Sequence, residues 1–142
     1  MTIAAILRDK GSEVISVEGA RPVREVVALL AERRIGAVPV VDGTLVIGIF
    51  SERDVVHSLA DAGPEALDRP VADVMTAPAV TVTPELPVIA ALSLMTRRRI
   101  RHLPVLEGGR LTGFVSIGDL VKYRIDRIET EAAAMRDYIQ GS

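Results

Sequence analysis

The residues able to do chemistry in this chain fall in one repeated arrangement. Gly48-Ile49-Phe50-Ser51-Glu52-Arg53-Asp54 is matched by Gly113-Phe114-Val115-Ser116-Ile117-Gly118-Asp119, so a serine followed three residues later by an aspartate twice closes an apolar run. A strand that ends on a serine opening a helix leaves the first N–H groups of that helix free to attract an anion, and the hydroxyl adds a donor. An aspartate in that first turn can accept two hydrogen bonds from a vicinal diol such as a ribose. The same spacing also makes a plain capping box, so on these residues alone both readings stand. A second cluster, Thr96-Arg97-Arg98-Arg99-Ile100-Arg101-His102, puts four positive charges within five residues. Arg97 to Arg99 read as a solvated helix end favoured by the macrodipole, whereas Arg101 lies beyond the helix. His57 reads as solvated or partly packed. Without cysteine, and with His102 the one other histidine, the chain has neither a thiol nucleophile nor a basis for a transition-metal site.

These residues are positioned by an internal duplication. Residues 14–57 align without a gap on residues 79–122 at an offset of 65, with 14 of the 44 pairs identical, among them Pro22/Pro87, Arg34/Arg99, Pro39/Pro104, Gly48/Gly113, Ser51/Ser116 and Asp54/Asp119. Upstream, Ile3, Ile6 and Leu7 match Val71, Val74 and Met75 at an offset of 68, so the first copy carries three extra residues around Arg8 to Glu13. Each copy predicts the same elements. Val14 to Val17 is a short β-branched strand, and Val23, Val26, Val27 and Leu30 form one helical stripe behind Pro22. Ala37 to Val41 and Leu45 to Phe50 are apolar runs joined by Asp42-Gly43-Thr44, a hairpin signal. A helix then follows from Glu52 to about Ala62. The second copy repeats this through Val80 to Val82, Val88 to Arg99, Leu103 to Leu106, Arg110 to Val115 and Ile117 onward. The fold class is therefore α/β (α+β): two β-α-β-β-α units in pseudo-twofold arrangement. The expected division is residues 1–65, 66–124 and a C-terminal helical extension over 125–142.

At 142 residues, with 49% hydrophobic and 25% charged residues, the chain can bury a core and lies far from disordered compositions. A net charge of −2 and four aromatic residues speak against nucleic acid as a partner. No apolar stretch approaches the length of a membrane helix, and no secretory h-region stands at the start, so a soluble, cytoplasmic protein is expected. Arginine makes up 15 of the 17 basic residues. Its planar fork suits phosphate, although codon bias gives the same excess. Past Val121 the apolar residues Ile125, Ile128, Ala132, Met135 and Ile139 continue at alternating spacings of 4 and 3, a heptad seam. Such a helix either packs on its own module or pairs between subunits.

The ordered set of strand-to-helix starts, helices ending in Arg-Arg-Ile, Val38-Pro39-Val40-Val41-Asp42 and Leu103-Pro104-Val105-Leu106-Glu107 strands, and Gly-x-x-Ser-x-x-Asp elements resembles a tandem pair of cystathionine-β-synthase (CBS) domains, a Bateman module. The resemblance covers both copies, to about residue 124. It implies an adenosine-containing ligand (AMP, ADP or ATP, with S-adenosylmethionine or NAD as other options) in clefts between the two domains, with Mg²⁺ arriving only on a triphosphate. It implies Asp54 and Asp119 as ribose acceptors and Ser51 and Ser116 as phosphate or ribose contacts. Ala37 and Val38, or His102 and Leu103, would line the adenine pocket opposite Ile15 or Val80. Arg101 and His102 would meet phosphates. The Asp54 cleft is expected to receive Arg101 and His102 and to be the better phosphate site; the Asp119 cleft is expected to receive Gly36, Ala37 and Arg53.

No nucleophile with its base and no nucleotide-binding loop motif is present, and the two copies and final helix account for all the residues, so a non-enzymatic module is expected. The leading function is a stand-alone sensor that transmits binding to a partner protein. The alternative is a constitutive dimerisation module with vestigial clefts. The family commonly dimerises into a disc of four domains, and Val55, Val56, Leu59, Leu120 and Val121 are the expected homodimer contacts.

Overall fold

A computed structural model describes residues 1–11 and 13–141. Helix α1 (Ile3–Lys10) leads into strand β1 (Val17–Glu18), helix α2 (Val23–Arg33), the hairpin β2 (Ala37–Asp42) and β3 (Leu45–Ser51), and helix α3 (Glu52–Ala62). Two short 3₁₀ turns, Gly63–Asp68 and Val71–Asp73, connect to the second copy: helix α4 (Val88–Arg98), hairpin β4 (His102–Glu107) and β5 (Arg110–Ser116), and helix α5 (Ile117–Gly141). The mixed α and β architecture with two equivalent units is the one read from the repeat.

The units agree down to irregularities. Both hairpins are antiparallel and both register shifts fall at the same place, between Val40 and Val41 and between Val105 and Leu106. Both central helices end in a left-handed arginine, Arg34 and Arg99, each at φ 54°. The N–H of the following isoleucine reaches back to close the turn, Ile35 to Leu30 O at 3.1 Å and Ile100 to Met95 O at 3.0 Å. The strand expected over Val14 to Val17 is displaced: β1 is Val17–Glu18 and pairs parallel with β2. In the second copy the expected strand over Val80 to Val82 is a single parallel bridge, Val82 to Val105. Pro84 stands there where Gly19 stands in the first copy, and Pro84 has no N–H to carry the ladder further.

The two cores do not follow the chain in order. Ile3 and Ile6 of α1 are buried with Val82, Val88, Met95, Leu103 and Leu120 of the second copy, with Leu7 packed alongside. Val71, and beside it Val74 and Met75, joins Val17, Val26, Val38 and Phe50 of the first copy. Each unit thus buries the segment that precedes the other. Two glycines record the contact. A Cβ on Gly48 would stand 2.5 Å from Met75 Sδ and 2.8 Å from the Thr76 carbonyl oxygen, and one on Gly113 would stand 2.6 Å from Leu7 Cδ2.

The obstruction at Gly48 includes backbone, whereas that at Gly113 is a flexible side chain. Gly48→Ala is therefore expected to destabilise by about 1–3 kcal/mol and Gly113→Ala by less, measured by urea unfolding. Equal costs would show that the two leading segments are held alike.

Candidate functional site

Between the units lies a cavity of about 500 Å³, within the range of small-ligand sites. Its walls come from both copies. Ser51, Glu52, Arg53 and Asp54 enter from the end of β3 and the first turn of α3; Arg99, Arg101 and His102 enter from the end of α4 and the start of β4. Ile49, Pro78, Ala79, Val80 and Ile100 supply an apolar wall, and Ser116 and Ile117 close the cavity at the start of α5.

At its acceptor end the geometry is set by the helix start. Asp54 Oδ2 accepts the Ser51 N–H at 2.9 Å and the Ser51 hydroxyl at 3.2 Å, while Oδ1 accepts the Thr76 hydroxyl at 2.8 Å. The Ser-x-x-Asp element is thus a capping arrangement, and its carboxylate also faces the cavity. A carboxylate has about four acceptor positions, and the two hydroxyl donors can rotate away, so Asp54 keeps the capacity to take a diol. Arg99, Arg101 and the His102 imidazole line the cavity from the second unit, and Arg53 lines it from beside Asp54. His102 stacks on Phe114 with ring centroids 5.5 Å apart and planes 11° from parallel. A Cβ on Gly36 would stand 3.8 Å from the His102 ring, an ordinary van der Waals contact, so Gly36 lies beside that ring. Burial pushes the imidazole below its ordinary pKa; the Lys10 and Arg101 charges add to this, and Asp119 and Glu52 oppose it without cancelling it.

The Asp119 side differs. Asp119 and Ser116 form the reciprocal capping box, Ser116 N–H to Oδ2 at 2.8 Å and Asp119 N–H to Ser116 Oγ at 3.1 Å. Its carboxylate is taken by Lys10, whose Nζ donates to Asp119 Oδ2 at 2.7 Å and to the Phe114 carbonyl at 2.7 Å. Lys10 does with one ammonium what Thr76 does in the first copy, where its N–H bonds the Ile49 carbonyl at 2.8 Å and its hydroxyl bonds Asp54. Burial alone would raise the Asp119 carboxyl. The hydrogen bond from Lys10, the Ser116 N–H and the Lys10 charge outweigh this and hold it below the ordinary carboxylate value.

The structure therefore brings Ser51, Asp54, Val80, Arg101, His102 and Ser116 together around one cavity. Gly36 and Arg53, expected at the Asp119 cleft, line this cavity instead, because Gly36 O caps the Glu52 N–H at 3.0 Å and so lies beside the first turn of α3. Ala37, Val38 and Leu103 are buried within their units, and Ile15 packs on the first core. Of the expected homodimer contacts, Leu120 is fully buried and Val55 packs on the first core, because both lie on the inward stripe of their helices. Val56, Leu59 and Val121 are exposed. Sequence reasoning missed Thr76, Lys10 and Arg99. The signals were the three extra residues that carry Lys10, and a repeated arginine at a helix end where glycine is usual.

Among the described residues no group of three or more His, Cys, Asp or Glu is placed to hold a metal ion, and no helix is long and apolar enough to cross a membrane. The family model of the CBS domain matches residues 7–61 and 71–126. The chain is 33% identical to a mitochondrial CBS domain-containing protein of Arabidopsis thaliana, over 99% of this chain and 72% of that protein. It superposes on the crystal structure of a CBS-domain-containing protein from Agrobacterium tumefaciens with a TM-score of 0.84 at 38% identity, covering 87% of this chain and 99% of that one. A CBS domain pair solved in complex with 5′-methylthioadenosine and S-adenosyl-L-methionine shares the fold, with a TM-score of 0.79 at 21% identity, covering 89% of this chain and 98% of that one.

Replacing Lys10 by Met removes a charge that depresses both Asp119 and His102, so both midpoints are expected to move upward in an NMR titration. An unmoved Asp119 would show that Lys10 does not hold the carboxylate in solution. Because the native Asp119 pKa lies below its unfolded value, the contact stabilises at pH values above the ordinary carboxylate range and is lost as pH falls through the native midpoint. The pair is partly exposed, so Lys10→Met should cost under about 1 kcal/mol at neutral pH and nothing in strong acid.

Proposed function

The chain belongs to the CBS domain family, and from that premise we propose that it is a regulatory sensor that binds an adenine nucleotide in the Asp54 cavity. Binding there is transmitted to a partner protein by a change in the disposition of the units. The observation that carries this reading is the pairing of chemistries across one cavity. An acceptor of diol hydrogen bonds, Asp54, lines the same cavity as Arg53, Arg99, Arg101 and His102, which suit phosphates, and as the apolar Ile49, Pro78 and Val80. The adenosine compounds bound by the structurally similar domain pair support the ligand class. AMP, ADP and ATP would draw on the arginines, and S-adenosylmethionine or NAD would use the same acceptor. Mg²⁺ enters only with a triphosphate.

The Asp119 cleft is the weaker site in this reading, because Lys10 already satisfies its carboxylate. No catalytic step is assigned to the module. A cysteine-free chain suits a reducing compartment such as the cytoplasm. The assembly we propose is a homodimer through outer helices, for which the exposed Val56 and Val121, equivalent residues of the two copies, provide apolar surface.

Calorimetry with AMP, ATP, S-adenosylmethionine and NAD tests the reading. At least one is expected to bind at millimolar affinity or better. Asp54→Asn, which keeps the size of the side chain, should weaken it by roughly 10- to 100-fold, the worth of one or two charge-assisted hydrogen bonds. Asp119→Ala should leave the affinity unchanged; the reverse pattern would move the site to the other cleft. No binding of any of the four would sink the sensor reading and leave a constitutive dimerisation module.

A further inference from the structure

Helix α5 runs unbroken from Ile117 to Gly141, and after its first two turns no apolar side chain of it enters the cores. Its inward face ends with Leu120 and Tyr123. The heptad seam lies on another side of the cylinder, where Val121, Ile125, Ile128 and Met135 are 42%, 48%, 49% and 60% exposed. The helix does not pack its seam on its own module. Charge narrows the class of partner. Residues 122–137 hold both signs in near balance, Lys122, Arg124, Arg127 and Arg136 against Asp126, Glu129, Glu131 and Asp137, unlike the polybasic face that seeks an anionic membrane.

We propose that the seam is covered by α5 of a second copy of this chain, running parallel and in register. With Ile125 and Ala132 at a, and Val121, Ile128 and Met135 at d, the flanking g and e positions are Arg124 and Glu131, and Glu129 and Arg136. In a parallel pair each g residue meets the e residue five further along in the partner. Arg124 then faces Glu129, and Glu131 faces Arg136: both contacts are attractive, and symmetry makes each occur twice. An antiparallel pair over the same seam sets Lys122 against Arg136 and Glu129 against its own copy, both repulsive. Glu131 also lies 3.8 Å from Arg127 of its own helix, an exposed pair that leaves it able to accept a second cation. The seam is too short to hold as an isolated coil. The inference therefore rests on the homodimer proposed above, and it specifies that dimer: the twofold axis runs along α5, so the second unit of one chain sits beside the second unit of the other.

The chain has no cysteine, so single substitutions report proximity cleanly. Ile128→Cys and Met135→Cys are each expected to oxidise to disulfide-linked dimers faster than the outward-facing control Asp137→Cys. An antiparallel pair can bring only one of the two positions opposite itself. The other would lie about 10 Å or more from its copy, beyond the reach of a disulfide. Glu131→Arg should weaken dimerisation roughly tenfold and the double variant Glu131→Arg with Arg136→Glu should restore it, since only pairing between those two positions predicts rescue. Failure of either cysteine to cross-link while sedimentation shows a dimer would overturn the parallel pairing and leave the homodimer intact. A monomer at high micromolar concentration would overturn both.

Discussion

Neither half of this chain completes its own core. The second unit lacks a cover until Ile3, Ile6 and Leu7 fold back onto it from the opposite end of the sequence, and the first lacks one until Val71 and Met75 arrive from the connector. A unit of roughly 60 residues is marginal alone. Burying the segment that precedes the other unit serves stability and also fixes how the two units sit. The contacts are close: a Cβ at position 48 would meet the Thr76 backbone and one at position 113 the Leu7 side chain, on the strand of each unit that leads into the Ser-x-x-Asp turn. The cavity exists because this crossing of segments holds the turn of one unit against the helix end of the other.

The same crossing makes the two sides unequal. The segment entering the first unit ends in Thr76, whose N–H and hydroxyl bridge the Ile49 carbonyl and Asp54. The segment entering the second is longer by three residues, continues as a helix, and delivers Lys10 to the equivalent Phe114 carbonyl and Asp119. A neutral hydroxyl can yield an acceptor to a ligand at small cost, whereas displacing an ammonium breaks a charge-assisted contact. A three-residue length difference, distant from both aspartates in the sequence, thus brings Lys10 onto Asp119 and leaves Asp54 with a neutral partner.

The duplication made most of the fold legible, because the apolar stripe of Val23 to Leu30, the hairpin runs and the serine-led helix each appear twice. Periodicity carries no information about which unit a leading segment joins, so the crossing of Ile3 to Leu7 and of Val71 to Met75 could not be read from it. Ribose and phosphate roles for Ser51, Asp54, Arg101 and His102 rest on motif and position, and the cavity gathers those four. A continuous apolar run looks the same in sequence whether its residues face a cleft or a core, and Ala37, Val38 and Leu103 are buried. Sequence alone reads Arg99 as part of a solvated helix end; it is exposed and left-handed there, and it also lines the cavity.

The placement of the start of α5 links the cavity to the seam. Ser116 and Ile117 line the cavity and are also the cap and first residue of that helix. The Ile117 N–H is held at 2.8 Å by the carbonyl of Arg101, which lines the cavity, just as the Glu52 N–H is held by Gly36 O in the first copy. Under the proposed function, an occupant drawing on Arg101 would act beside the backbone that fixes the base of a 25-residue helix. A small tilt at that base displaces the far end several times more, because an unbroken helix transmits rotation as a rigid rod. Binding can then shift the assembly only by as much as the occupant's affinity differs between the two tilts. Under the proposed function, the coupling would be strongest for ligands that engage Arg101, whereas an adenosine compound without phosphate would disturb the helix base less.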